Sequence, residues 1–499
     1  MATPELPRLA SVAGRWIVLA TVLGSSVASL DATVVNIALP RIGESLDTDV
    51  AGLQWTLNGY TLTLASFILL GGSLGDRLGR RRVFVWGAIA FGITSVLCGA
   101  ATSIEMLVAA RILQGVAGAM LTPGSLALIS ASLDRRDQGA AIGLWSGFGG
   151  VAGALGPFLG GWLIDLAGWR SLFFLNVPLT LVVVLVARKH VPESRDPDAP
   201  ARLDIPGAFV IALALGALTF GLIETQPLLL VAGVALLAAF VVIELRSDHP
   251  LVPPRLFASR VFTAANLVTL AVYAALGGVF FLLVLQLQLV AGYSPLLSGA
   301  ATVPITLIML ALSAPAGRWA QRNGARLPMT AGPLLAAAGL LLLMRIGPDS
   351  PYLRDVLPGV LVFGLGLAAL VAPLTGAVLG AVPAGEAGIA SGVNNAVART
   401  AQLLAVAALP GLAGLSNALD DPVAFDRGFG TAMAICAGLL VTGAVLAAAL
   451  LRPQHAATLD GVDCLPQCAA ASGPALAPAR SGGPEQAPPD GRGGDAQPR

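Results

Sequence analysis

Asp31 is an isolated acid in the apolar run SLDATVVNIALP (29–40), with no other charge between Arg15 and Arg41. A carboxylate at the centre of a membrane helix costs about 2.5–3.5 kcal/mol on insertion scales, so a partner at the same depth is expected. Arg111 supplies one. Asp31 lies seven residues before Ala38, near the outer end of its segment, and Arg111 lies six residues after Glu105, near the outer end of another. At 1.5 Å per residue both sit about 10 Å below the outer surface. Two roles fit the pair. It could be a structural ion pair that lowers the cost of both charges. Alternatively, Asp31 takes up and releases a proton while Arg111 favours its ionised form.

Composition sets the environment of these charges. Apolar residues make up 56% of the 499 and charged residues only 11%, against about a quarter in ordinary globular domains. The chain therefore reads as an all-α polytopic membrane protein. A net charge of +1 gives no bias toward nucleic acid. Cys98 and Cys436 fall in apolar runs. Cys464 and Cys468 form a C-x3-C pair without a histidine, and His190, His249 and His455 all sit in loops. No metal site is expected. The sequence contains no G-x-x-x-x-G-K-[ST] phosphate loop and no nucleophile–base arrangement, so neither an ATP-driven pump nor an enzyme is expected.

About 20 mostly apolar residues are needed per crossing. Segments near 14–38, 51–72, 83–102, 106–130, 139–164 and 169–188 meet that length in the first part of the chain. Two follow near 205–225 and 227–245, then six near 261–288, 297–319, 328–346, 355–380, 387–415 and 428–451. Of these fourteen, the first is read as a retained span rather than a cleaved leader. If residues 1–13 are cytoplasmic, inner loops carry sixteen basic residues and outer loops five, a positive-inside pattern that puts both termini in the cytoplasm. Removing the central pair leaves six and six. The layout is then a 14–190 half, a 191–250 linker with two extra helices, a 251–452 half, and a disordered tail over 453–499. The loops GSLGDRLGRRR (72–82) and GRWAQRNGARL (317–327) share Gly and Arg at the same offsets. Such parallel repeats imply a site between the halves at the midplane. Asp31 is the only acid well inside any span of the two halves.

Several motifs carry a family resemblance over roughly residues 14–450. GGSLGDRLGRRRVF resembles the loop 2–3 signature of the major facilitator superfamily, and RILQGVAGAMLTP (111–123) its fourth-helix motif. GALGPFLGGWL (153–163) resembles the fifth-helix motif of its antiporters. LDATVVNIALP and WRSLFFLNVP (169–178) resemble signatures of the fourteen-helix drug:proton antiporter branch. The resemblance implies the major facilitator fold, two six-helix halves plus two inserted central helices, in the cell membrane. It also implies proton-coupled efflux of amphipathic or aromatic small molecules by alternating access. A specialist exporter of one metabolite or antibiotic, or a facilitated importer, is the alternative. The implied partners are that substrate, protons and the lipid bilayer, with no nucleic acid. No cofactor beyond the proton gradient is implied, and a monomer is expected.

Residue roles follow the same resemblance. Asp31 and Arg111 are the proton-coupling candidates. Gly72, Asp76, Arg77, Gly79, Arg80 and Arg81 would form a conformational latch, with Asp76 pairing to a neighbouring helix end; the plainer reading is a basic topology anchor. Gly153, Gly156, Pro157, Gly160 and Gly161 would limit leak in an antiporter, or simply let helices pack closely. Candidate cavity residues are Gln114, Gln286, Asn394, Asn395 and Arg399. Gln288, two residues from Gln286, cannot share its face, and Asn394, Asn395 and Arg399 fit helix–helix hydrogen bonding equally well.

Overall fold

Apolar runs closed by polar caps form fourteen long α-helices in the computed structural model, which describes residues 6–196, 203–383 and 386–451, and the backbone alone at 135, 146, 147 and 149–154. The predicted tail over 453–499 lies outside the described residues. The first half holds α1 (Val12–Leu46), α2 (Val50–Leu78), α3 (Arg80–Gly99), α4 (Ile104–Ser132), α5 (Arg135–Ala167) and α6 (Arg170–His190). The central pair is α7 (Ile205–Ile223) and α8 (Pro227–Arg246). The second half holds α9 (Arg260–Leu285), α10 (Pro295–Asn323), α11 (Arg326–Leu343), α12 (Leu357–Gly380), α13 (Ala387–Leu412) and α14 (Pro422–Leu450). No strand occurs among the described residues.

Local chemistry sets the helix starts. The side chains of Ser11, Asp49, Ser103, Asp204, Ser259, Ser294 and Asp421 each accept a hydrogen bond from a backbone N–H in the first turn, which satisfies donors that have no partner inside the helix. Among the described residues, twelve helices are long and apolar enough to cross a membrane. Helix α5 contributes a shorter apolar stretch, Leu155–Ala167, and α13, which carries Asn394, Asn395 and Arg399, is not among the twelve.

The halves meet along three seams, α1 with α9, α2 with α13 and α5 with α10. Side chains fasten the end where α1, α5, α9 and α13 finish. Gln54 Nε2 donates to the carbonyls of Val406 (2.6 Å) and Ala407 (2.9 Å), and Gln288 Nε2 donates to the Ile37 carbonyl (3.0 Å). Backbones touch at the α5–α10 seam. A Cβ on Gly161 would lie 2.6 Å from Leu296 Cα, and one on Gly299 would collide with the Pro157 carbonyl. Only glycine allows such approach.

Helix α7 lies against both halves. Its Ile211 and Leu215 pack with Leu62 and Ala65 of α2 and Leu403 of α13. Trp55 adds a ring contact to Phe220 at 5.8 Å and donates to the exposed Glu224 carboxylate at 3.2 Å. Helix α8 packs mainly on α7 and leaves most of its surface uncovered. The Gly299→Val substitution is expected to overpack the α5–α10 seam at a cost of about 1–3 kcal/mol. A lower thermal midpoint in detergent checks this, and an unchanged midpoint would show that the seam is looser than described.

Candidate functional site

Five helices of the first half converge on Asp31. Arg111 Nη1 donates to Asp31 Oδ2 at 2.5 Å, and both side chains are 1% exposed. Asp31 Oδ1 accepts two more hydrogen bonds, from Gln114 Nε2 (3.0 Å) and Asn176 Nδ2 (2.9 Å). Ser95 Oγ accepts from the same two amides at 2.9 and 3.3 Å. On the other side, Arg111 Nε donates to the Thr56 carbonyl (3.1 Å) and Nη1 to Gln114 Oε1 (2.7 Å). The guanidinium carbon sits 4.4 Å from the Tyr60 ring centroid and 5.9 Å from that of Phe173, where the ring faces attract a cation. A buried ion pair repays its desolvation only when its remaining lone pairs and protons also find partners, and here Asp31 Oδ1, Arg111 Nε and Arg111 Nη1 all have them.

The network borders a cavity of about 370 Å³ between the halves. Its walls come from α1, α2, α4 and α5 on one side and α9, α10 and α13 on the other. Arg111 forms part of the wall, and Asp31 lies behind it. A larger cleft of about 1510 Å³ opens at Arg260, Gln321 and Arg326 within the second half. That cleft is remote from the buried charges and draws on one half alone, so the central cavity is the candidate site.

The structure separates the predicted cavity residues. Arg399 lines the cavity. Gln114 and Gln286 do not, which corrects that expectation. Gln114 is spent on Asp31, Arg111 and Ser95. Gln286 sits in a π-helical turn after α9 and donates to the Ile346 carbonyl (2.8 Å) and Asp426 (2.6 Å). Asn394 also turns away, donating to Asn266 (3.1 Å) and Thr269 (2.8 Å), while Asn395 is exposed and outside the cavity wall. Helical geometry places these residues on the right helices, but the neighbouring elements decide where each points.

In the 72–82 stretch, Asp76 near the end of α2 pairs with Arg80 at the start of α3 at 2.7 Å. Arg81 reaches Glu193 at 3.6 Å and donates to the Val191 carbonyl at 3.1 Å. Gly79 turns the chain with φ +116°, and a Cβ there would strike the Glu193 carboxylate. Gly72 faces Pro123, and Arg77 is exposed. On α5, Gly156 and Gly160 face Thr33 and Val34 of α1, while Gly161 faces α10 and Pro157 lines the cavity. Gly153 belongs to the stretch described by its backbone alone.

Asn176 and Ser95 were not among the residues singled out from sequence. Asn176 lies within WRSLFFLNVP, and an amide inside an apolar span is the signal that marks it. Asp426 was missed because α14 begins at Pro422, earlier than the predicted 428. The Asp421–Pro422 cap and first-turn proline mark that start.

The Major Facilitator Superfamily model matches residues 21–406. The chain belongs to the major facilitator superfamily. This transporter is 35% identical over 460 residues to the puromycin resistance protein pur8 of Streptomyces alboniger, covering 88% of the chain and 91% of that protein. It is 36% identical over 389 residues to the multidrug resistance protein Stp of Mycobacterium tuberculosis, covering 76% and 72%. It is 34% identical over 401 residues to the tetracenomycin C resistance and export protein of Streptomyces glaucescens, covering 78% and 74%. These relatives place it among the superfamily's efflux transporters, as a multi-pass membrane protein and not an enzyme. Among solved structures, the fold matches a D-xylose–proton symporter with TM-score 0.63 at 16% identity, covering 88% of this chain and 98% of that one. A bacterial homologue of the lysosomal transporter Spinster, inward-facing and unoccupied, matches with TM-score 0.62 at 16% identity, covering 88% and 97%.

Removing one member of a buried pair costs about 3–5 kcal/mol because the other charge is stranded. Arg111→Met is therefore expected to fold poorly, and adding Asp31→Asn should restore much of its stability. Thermal unfolding of the single and double variants checks this, and a double variant no better than the single would show that charge does not govern the network.

Proposed function

We propose that the protein exports amphipathic or aromatic small molecules in exchange for protons, by alternating access to the central cavity. The observation that carries this reading is the position of Asp31. A carboxylate shut away from solvent is held against Arg111, which also forms part of the cavity wall. Proton loss or gain at Asp31 changes what Arg111 must neutralise, and so changes the wall that a substrate meets. In this state the carboxylate is occluded, and exchanging its proton requires the network to open. Coupling then needs only that proton and substrate prefer opposite states of one two-state protein.

The resistance and export relatives support the direction of transport, and the mostly apolar cavity supports lipophilic cargo. A cavity of about 370 Å³, near the lower end of ordinary ligand sites, also favours a second reading, a specialist exporter of one compound. All fourteen helices would cross the membrane with both termini in the cytoplasm, in the 14–190, 191–250 and 251–452 layout. The proton gradient is the sole energy source, without a cofactor, and one chain suffices as a monomer. The Asp76–Arg80 loop would act as a latch that re-pairs on switching, and the α5 glycines would limit leak.

Dye efflux from cells lacking their own pumps tests the proposal, with wild type and Asp31→Asn compared at matched membrane levels. Wild-type efflux should collapse with a protonophore, and the variant should accumulate dye. Normal export by Asp31→Asn would assign the pair a structural role instead.

A further inference from the structure

The cavity wall contains two cations, Arg111 and Arg399, and no carboxylate. Asp31 neutralises Arg111 from behind. Arg399 has no ion pair or hydrogen bond among the described residues, so its charge is uncompensated at the midpoint of the protein. Polar atoms around the same space are also unpartnered. Tyr60 Oη and Asn58 Nδ2, on side chains only 2% and 1% exposed, find no acceptor, and Asn36 Oδ1 finds no donor. Tyr60, Asn58 and Asn36 all line the cavity. Buried polar groups are almost always satisfied, and the open amide groups of Asn36 and Asn58 lie on residues of the same wall as the unpaired Arg399.

The Arg399 guanidinium lines the space, and its fork matches an oxyanion better than any other group. Leu276, Phe280 and Ile305 supply an apolar wall from the second half. A cationic ligand would meet Arg399 with no carboxylate available to offset it, in surroundings where like charges are weakly screened. An anion would be paired on entry.

We propose that the central cavity selects amphipathic monoanions, in which a carboxylate, sulfonate or ionised phenol is carried on an apolar or aromatic body, and that Arg399 is the residue that reads the charge. This rests on the central cavity being the substrate site. It does not require that transport be coupled to protons.

Direct binding tests it, using full-length protein in lipid nanodiscs with the signal of empty discs subtracted. The probes are fluorescein methyl ester and 1-anilinonaphthalene-8-sulfonate as monoanions, Nile red as the neutral dye, and rhodamine 6G as the monocation. Wild type should bind the monoanions about tenfold or more tighter than rhodamine 6G. Arg399→Gln should remove that preference while leaving Nile red unchanged, Arg399→Lys should keep most of it, and Arg399→Glu should reverse it. Thermal midpoints of all variants show whether they are folded. Equal or tighter binding of the cation by wild type, or no binding of either monoanion, overturns the proposal. So does an equal loss of every probe in a folded Arg399→Gln variant. Binding needs no gradient, so efflux that ignores a protonophore would refute proton exchange and leave this selectivity standing. Asp31-dependent efflux without anion preference would do the reverse.

Discussion

A guanidinium and a carboxylate placed inside a membrane protein must be in contact, and that contact must itself be enclosed. The Asp31–Arg111 pair meets this demand by drawing groups from α1, α2, α3, α4 and α6 to one point. The packing of the first half is organised around keeping those partners in reach. The second half has no equivalent ion pair among the described residues. At Asn394, Asn266 and Thr269 it uses a neutral cluster of amides and a hydroxyl, which constrains helices without holding a titratable charge. Two halves of similar architecture therefore differ in chemistry, with the buried ion pair found in the first.

Helix α5 links that chemistry to the meeting of the halves. One glycine face lies on α1, within a turn or so of Asp31, and Gly161 with the Pro157 carbonyl lies on α10 across the seam. Side chains are absent where the backbones touch, so little can deform there. Pro157 carries the same helix past the cavity.

The sequence made the charge pair legible for a simple reason. Ionisable residues inside apolar segments are rare, and a helix rises by a fixed amount per residue, so depth can be counted before any packing is known. Helix positions were readable on the same basis, because long apolar runs with capping residues leave few alternatives. Side-chain direction was not readable. Gln114, Gln286 and Asn394 sit on the expected helices, yet each turns to a partner on another helix that no local pattern announces. Asp426 shows the related difficulty at boundaries, since α14 starts before its apolar run does. Asp76 was expected to reach a neighbouring helix end, and it pairs with Arg80 at the start of α3, across the Gly79 turn.

Helix α7 makes the two sides of the protein unequal. It covers the α2–α13 seam from the bilayer side, with Ile211 and Leu215 seated on both halves. A molecule dissolved in the membrane cannot pass between α2 and α13 without first displacing an entire helix. The α5–α10 seam carries no such cover among the described residues. The two seams are thus covered unequally, and a fold built on two similar halves acquires a front and a back.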